Sequence, residues 1–177
     1  MGTVTADFSE DTVIVTGASS GIGRAVAVGF GEAGATVINA DVRAEPKDRN
    51  AETVAGDVET PTQELVDDET DGRGVFVETD VSEYDALAAV VEGAREFGGV
   101  DVMVNNAGVH VSREFLDVTP EEYDHLHAVN ARSAFFGTQL AAQDMIDREE
   151  PGVVLNTASS RSGSGPTRHK RWSSTRY

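Results

Sequence analysis

The sequence contains no cysteine among its 177 residues. This absence excludes disulfide bonds, zinc sites with cysteine ligands and thiol nucleophiles, and it leaves the redox compartment undetermined. Residues 1–11 hold neither the basic nor the apolar segment that begins a secretory signal, and no apolar run approaches membrane-spanning length. We therefore expect one soluble, cytoplasmic domain with a substantial core.

Lysine is also scarce in this sequence. Lys47 and Lys170 are the two lysines, and 31 acidic residues against 14 basic ones give a formal net charge of −17. Nucleic acid and anionic membranes would be repelled, so we expect neither as a partner. With 39% hydrophobic residues the chain is too apolar for a disordered acidic protein. Its composition resembles that of proteins from salt-loving archaea, and an ordinary acidic cytoplasmic protein is the alternative.

Apolar segments typical of strands alternate along the chain with segments typical of helices. This order predicts a parallel β-sheet covered by helices on both faces. Thr62 is placed to cap one helix, and Ser82 with Asp85 forms a capping-box pattern for another. Thr119 followed by Pro120 indicates a third helix start. The predicted elements are strand 13–16, helix 22–33, strand 36–40, helix 62–70, strand 75–79, helix 82–97, strand 100–104, helix 119–147 and strand 152–156.

A glycine-rich turn with the sequence TGASSGIG occupies residues 16–23, between the first predicted strand and the first predicted helix. Glycines let the backbone turn tightly and approach a pyrophosphate, and the free amides at a helix start favour an anion. The turn therefore predicts a phosphate cradle for a dinucleotide. The alternative is that the glycines serve only to pack the strand against the helix.

Asp41 closes the second predicted strand. At this point of a dinucleotide-binding unit an acidic side chain hydrogen-bonds the adenosine ribose and repels a 2′-phosphate, which favours NAD over NADP. Arg43 weighs against this preference because a guanidinium pairs with phosphate, and an aspartate at a strand end is also a common turn residue. Residues 42–74 fit either a loop over the adenosine end or a solvated insertion.

Two later segments complete a pattern with the glycine turn and Asp41. They are NNAG at residues 105–108 and NTAS at residues 156–159. With them the chain resembles the classical short-chain dehydrogenase/reductase family, whose glycine motif is TGxxxGIG. The resemblance implies an NAD(P)-binding domain over residues 1–160, built as the first five strands of a Rossmann-type doubly wound parallel sheet. It also implies hydride transfer between the cofactor and a small-molecule alcohol or ketone, by a homo-oligomer.

The resemblance further implies roles for single residues. Asp80 would bind the adenine amino group, and Val81 would contact the adenine ring. Asn130 would hold a water that links the active site to solvent, whereas the residue pattern alone indicates a buried structural asparagine. Ser159 would hydrogen-bond the substrate carbonyl, with Ser160 in its place if the register shifts by one. The predicted catalytic residues are Ser159 and Asn130, no metal site is predicted, and the predicted cofactor-binding residues are Gly17, Ser19, Ser20, Gly21, Ile22, Gly23, Asp41, Asp80, Val81, Asn106, Ala107 and Gly108.

The long predicted helix carries further residues of interest. His125 and His127 lie among its acidic residues, and we assign them no metal. Val109, His110 and Val111, which precede the helix, are candidates for contact with the substrate. The apolar residues of the helix suit either the core or a subunit interface, and they are Leu126, Phe135, Phe136, Leu140 and Met145.

The Tyr-x-x-x-Lys motif of the family is missing after Ser159. In the family its tyrosine is the general acid/base, and its lysine lowers the pKa of the tyrosine. Trp172 and Arg176 stand at the usual spacing, and Tyr177 is the last residue. We therefore expect a chain truncated before this motif and without activity. The alternatives are a non-catalytic dinucleotide-binding module and a non-functional truncated gene product.

Residues 161–177 differ in charge from the rest of the sequence. They hold five basic residues and no acidic one, whereas residues before them hold all 31 acidic residues. This change predicts a frame-shifted or disordered basic tail after residue 160. A basic tail added for function is the alternative.

Overall fold

The computed structural model describes residues 6–46 and 59–158. Ser159, Ser160 and the predicted tail 161–177 lie outside these ranges, as do residues 47–58 of the segment after Asp41. The predictions made for them stay predictions.

Five parallel strands form one sheet in the described part of the chain, in the order β3-β2-β1-β4-β5. This confirms the predicted parallel sheet and its five strands. Every residue of the first strand is buried, because that strand lies in the middle of the sheet. The strands are β1 (Thr12–Thr16), β2 (Thr36–Asp41), β3 (Arg73–Glu78), β4 (Val102–Asn105) and β5 (Val153–Asn156).

Helices cover both faces of this sheet, as predicted. Successive residues of a strand point to opposite faces, so Val13 and Ile14 of β1 belong to different cores. Val13 packs in the core beneath the first two helices, and Ile14 packs in the core beneath the third and fifth. The α-helices of the described residues are α1 (Gly21–Glu32), α2 (Thr62–Glu69), α3 (Tyr84–Ala94), α4 (Pro120–His127) and α5 (Ser133–Arg148).

Two of the three predicted helix caps are wrong. Thr62 lies inside α2, and its hydroxyl donates a hydrogen bond to the Ala18 carbonyl at 2.8 Å instead of capping the helix. The capping box predicted for α3 is absent, since Ser82 donates to Asp80 and the helix begins after Glu83 without a side-chain cap. The Thr62 hydroxyl thus binds a segment 44 positions away, whereas the Ser82 hydroxyl binds a carboxylate two residues before it, which competes with the helix cap.

The third predicted cap is confirmed at the start of α4. The Thr119 hydroxyl accepts from the Glu122 backbone amide at 3.2 Å, and the Glu122 carboxylate accepts from the Thr119 amide at 3.1 Å. Each side chain thus satisfies one free amide of the first turn.

The long helix predicted over residues 119–147 is interrupted by a π-helical turn over residues 128–132, between α4 and α5. Such a turn takes up one extra residue, widens the helix locally and often occurs at functional sites. Met145 is buried in the core, as expected, but Phe135 remains 65% exposed. For Phe135 the core interpretation is therefore wrong, and the interface interpretation stays a prediction.

Among residues 6–46 and 59–158, none of the helices combines the length and apolar character that a membrane crossing requires.

Candidate functional site

A cavity of about 600 Å³ opens where the carboxyl ends of β1, β2, β3 and β4 meet. In open α/β sheets this edge is where ligands bind. Most of the predicted cofactor-binding residues lie in its wall, together with several residues that were not predicted. The lining residues are Gly17, Ser20, Gly21, Ile22, Arg24, Ala40, Asp41, Val42, Pro46, Thr79, Asp80, Val81, Asn106, Ala107, Gly108, Val109, His125 and Val129.

The glycine turn is packed so closely against its surroundings that two of its glycines admit no side chain. Gly17 has a φ of +67°, and a Cβ there would lie 2.9 Å from the Cα of Ala107. A Cβ on Gly23 would lie 2.2 Å from the Gly17 carbonyl oxygen and 2.5 Å from Nδ2 of Asn106. Gly23 itself is buried and does not line the cavity, so it acts through this packing.

The start of α1 presents its amides without a competing side chain. Ser20, at the N-cap position, makes no side-chain cap hydrogen bond, and the first turn holds no acidic residue. The first amides of a helix and the positive end of its dipole attract an anion. Ser20, Gly21 and Ile22 all line the cavity at this point. The geometry therefore fits a phosphate group.

Ser19 was predicted to bind the cofactor, but the structure places it behind the cavity wall. Its side chain is buried, and its hydroxyl donates to the Arg43 carbonyl at 2.6 Å. Its backbone amide donates to Oδ2 of Asp41 at 3.1 Å. Ser19 thus ties the glycine turn to the end of β2, and it fixes the Asp41 carboxylate at the cavity wall.

The NNAG segment joins the ends of three neighbouring strands. The backbone amides of Asn106 and Ala107 both donate to the Thr16 hydroxyl at 3.0 Å. The Asn106 side chain donates to the Thr16 carbonyl at 3.1 Å, and Asn105 donates to the Asn156 side chain at 3.0 Å. This segment therefore holds β1, β4 and β5 together while Asn106, Ala107 and Gly108 line the cavity.

Asp80 and Val81 form the wall of the cavity after β3. Oδ1 of Asp80 accepts from the Ser82 amide at 2.9 Å and from the Ser82 hydroxyl at 2.7 Å. These hydrogen bonds lower the pKa of Asp80, so its carboxylate is ionised at neutral pH. Val81 is buried against Leu87 and Val129, and it gives this part of the cavity an apolar surface.

The family of the chain follows from a sequence comparison. The sequence profile of the short chain dehydrogenase family matches residues 11–176. The chain belongs to this family. The family is one of oxidoreductases, as the resemblance implied.

Relatives of known name agree with this assignment. A 3β-hydroxysteroid dehydrogenase of Eggerthella lenta is 34% identical over 154 residues, which are 86% of this chain and 54% of the relative. The L-xylulose reductase of Bos taurus is 32% identical over 163 residues, which are 92% of this chain and 59% of the relative. The chain thus spans about half the length of the curated relatives it matches.

Solved structures of short-chain dehydrogenases share the fold. A short-chain type dehydrogenase/reductase from Mycobacterium marinum superposes with a TM-score of 0.73 and 30% identity, over 86% of this chain and 57% of that one. An L-sorbose reductase from Gluconobacter frateurii, complexed with NADPH and L-sorbose, superposes with a TM-score of 0.71 and 27% identity, over 88% of this chain and 55% of that one.

Asn130, in the π-helical turn, holds the segment that follows NNAG. Its Oδ1 accepts from the Val109 amide at 2.8 Å, and its Nδ2 donates to the Val109 carbonyl at 2.9 Å. Asn130 is exposed, so the interpretation as a buried asparagine is wrong. Its hydrogen bonds position Val109 in the cavity wall, and the water-holding role implied by the family stays a prediction.

Several lining residues were missed by the sequence reasoning. Arg24 is 5% exposed and donates from one Nη to the Thr60 carbonyl at 2.6 Å and to the Thr62 hydroxyl at 3.1 Å. Its place directly after the TGASSGIG motif was a usable signal. His125 lies four residues before Val129, and this helical spacing puts both on one side of the helix. Within the described residues, no cluster of His, Cys, Asp and Glu suits a metal ion.

Proposed function

We propose that this chain is part of an NAD(P)-dependent oxidoreductase that transfers hydride between the nicotinamide cofactor and a small alcohol or ketone, with NAD preferred over NADP. One observation carries the proposal: a single cavity joins the uncapped start of α1 to the Asp41 carboxylate. The first feature suits a pyrophosphate and the second a ribose with free hydroxyls. Membership of the short-chain dehydrogenase family supports the reaction class.

Each part of the cofactor has residues that suit it. The amides of Ser20, Gly21 and Ile22 would hold the pyrophosphate, and Asp41 would accept hydrogen bonds from the adenosine ribose. Ala107 carries only a methyl group and Gly108 has no side chain, so the backbone there would pass close to the nicotinamide ribose. When bound, the nicotinamide ring would accept or donate the hydride. In this proposal Asn130 keeps Val109 in place beside that ring.

The names of the relatives support the substrate class and leave the cofactor open. L-xylulose reductase and L-sorbose reductase are named for ketoses, and an L-rhamnose 1-dehydrogenase of Sphingomonas, 34% identical, is named for NAD(P)(+). The preference for NAD therefore rests on Asp41. We also propose self-association through α5, where Phe135 and Ile146 are exposed apolar residues.

Titration with NAD and with NADP tests the cofactor preference. We expect the parent chain to bind NAD more tightly, because the Asp41 carboxylate repels a 2′-phosphate. Asp41→Ala should reduce the ratio of the NAD affinity to the NADP affinity by about tenfold or more, which corresponds to one charge-assisted hydrogen bond. Glu78→Ala is the matched control, since Glu78 stands opposite Asp41 in the register, is exposed and does not line the cavity. Equal affinities in the parent would contradict the preference.

A second candidate function, a dinucleotide-binding module without turnover, is favoured for the 177-residue polypeptide itself. None of its tyrosines has a lysine four residues later. Loss of general acid/base assistance costs about a hundred- to ten-thousand-fold in rate. We expect NAD binding but no reduction of NAD by a panel of secondary alcohols and sugars. Turnover clearly above background, abolished by Ser159→Ala, would refute this candidate.

A further inference from the structure

We propose that His125 is a further dinucleotide-binding residue, which recognises the edge of the adenine ring together with Asp80. The inference rests on the proposed function, because it concerns the adenosine end of the same cavity. His125 comes from α4 and Asp80 from the segment after β3, and both line the cavity.

One oxygen of the Asp80 carboxylate accepts both hydrogen bonds from Ser82. Both hydrogen bonds from Ser82 go to Oδ1, and Oδ2 takes part in neither of them. Asp80 lines the cavity, so we infer that Oδ2 accepts a hydrogen bond from the ligand. The hydrogen bonds from Ser82 hold the pKa of Asp80 below its usual value. Asp80 is therefore a pure acceptor at neutral pH.

Asp80 and His125 together present an acceptor beside a donor. A neutral imidazole carries one N–H, which donates. Adenine displays the complementary pattern along its edge, an amino group that donates next to a ring nitrogen that accepts. Hypoxanthine has a carbonyl oxygen in place of the amino group and a hydrogen on the adjacent ring nitrogen, N1. The oxygen would face the Asp80 carboxylate, and the N1 hydrogen would face the imidazole N–H, so both residues discriminate against hypoxanthine. The pair thus suits adenine and disfavours hypoxanthine.

Apolar side chains beside this pair suit the faces of the ring. Val81 is 7% exposed and Val129 is 6% exposed, and they pack in one cluster with Leu87. Both valines line the cavity. Val81 directly follows Asp80 in the chain, and Val129 stands four residues after His125. An adenine ring packed against the methyl groups of these valines would have its polar edge at the Asp80 carboxylate and the His125 imidazole.

His127 provides a matched control on the same helix. Its ring lies against Tyr123, with the ring centroids 4.0 Å apart, and its Nδ1 is 3.0 Å from the Tyr123 carbonyl oxygen. It is exposed and does not line the cavity. Replacing it removes the same chemical group from α4 without touching the proposed adenine site.

The test compares NAD with nicotinamide hypoxanthine dinucleotide by calorimetric titration of the parent, His125→Ala and His127→Ala. We expect the parent to bind NAD more tightly than the hypoxanthine analogue. His125→Ala should weaken NAD binding about three- to tenfold, the size of one hydrogen bond, and should reduce the ratio of the two affinities. His127→Ala should leave both affinities unchanged. Thermal unfolding of each variant shows that it is folded.

Different results would overturn different claims. An affinity ratio in His125→Ala equal to that of the parent overturns the role of His125, whether or not NAD binding is weakened. If the affinities for both dinucleotides fall by the same factor, the ratio is unchanged. This result also overturns the role of His125 and shows that the substitution disturbs the site as a whole. A parent chain that binds neither dinucleotide overturns the proposed function and this inference with it.

Discussion

Gly23 and Gly29 lie on the same helix, but only one of them lacks room for a side chain. A Cβ on Gly23 would meet the backbone of Gly17 and the side chain of Asn106, whereas a Cβ on Gly29 would meet no heavy atom within 4 Å. The two positions therefore separate the role of glycine in packing the turn from its ordinary effect inside a helix.

At the residue scale we predict opposite effects for the two alanine variants. Gly23→Ala should lower the free energy of unfolding by about 1–3 kcal/mol or more, since the clash involves backbone, and it should weaken NAD binding. Gly29→Ala should raise the free energy of unfolding by about 0.5–1 kcal/mol and leave binding unchanged. Urea denaturation and NAD titration measure both effects. Equal behaviour of the two variants would show that the close packing at Gly23 is unimportant.

At the scale of elements, Asp144 joins α5 to two other parts of the fold. Its buried carboxylate accepts from Nε of Arg95 at 2.9 Å, from Nε of Arg148 at 3.1 Å and from the Val100 amide at 2.9 Å. Burial alone would raise the pKa of Asp144, but the hydrogen bonds from Val100, Arg95 and Arg148 outweigh burial and lower it. The carboxylate therefore links α5 to the end of α3 and to the chain entering β4.

This lowered pKa makes a prediction about acid stability. The unfolded chain binds more protons than the folded chain between the folded pKa of Asp144 and its usual value of 3.8. The stabilisation is therefore complete above that value and is lost as the pH falls through the folded pKa. Asp144→Asn should lower the free energy of unfolding by about 1.5–3 kcal/mol at pH 7. The free energy of unfolding of this variant should also fall less steeply in acid than that of the parent.

Asp147→Asn is the control for this prediction. Asp147 lies on the same helix, its side chain is 52% exposed, and it is 4.0 Å from Arg95. An exposed pair of this kind contributes little. Unfolding by urea between pH 3 and pH 7 measures the free energy of unfolding of both variants. If this free energy falls as steeply in acid for Asp144→Asn as for the parent, Asp144 is not the source of the acid sensitivity.

At the scale of the whole molecule, the net charge of −17 means that the acidic side chains of the folded chain repel one another. Self-repulsion of this size destabilises a compact state, and salt screens it because the Debye length falls to about 3 Å at 1 M. We predict that the melting temperature rises between 0.1 M and 2 M KCl, measured by circular dichroism. An unchanged melting temperature would contradict the resemblance to proteins of salt-loving archaea, which is otherwise still a prediction.

The edge of the sheet adds to this expectation. Within the described residues β5 pairs only with β4, and its Val153 and Leu155 are 52% and 45% exposed. An exposed apolar edge strand favours association with other chains. Light scattering in the same salt series would distinguish association from unfolding of the monomer.

The sequence by itself determined the elements and most of the cavity wall. Strand β1 was readable because a short apolar run stands directly before a glycine turn, and the start of α4 because its cap is closed within four residues. Gly17, Asp41 and Asn106 were readable because each stands at or directly after the carboxyl end of a strand. In a parallel sheet these ends lie on one edge. These features depend on neighbours in the chain.

Only the tertiary structure decided what distant segments do to one another. The Thr62 hydroxyl was predicted to cap a helix, but it binds the Ala18 carbonyl, 44 positions away. The Ser19 hydroxyl donates to the Arg43 carbonyl, a partner that the sequence did not indicate. His125 lines the same cavity as Asp80 although it stands 45 positions later in the chain. A polar group binds the partner that folding brings to it, and the local pattern contains no information on that partner.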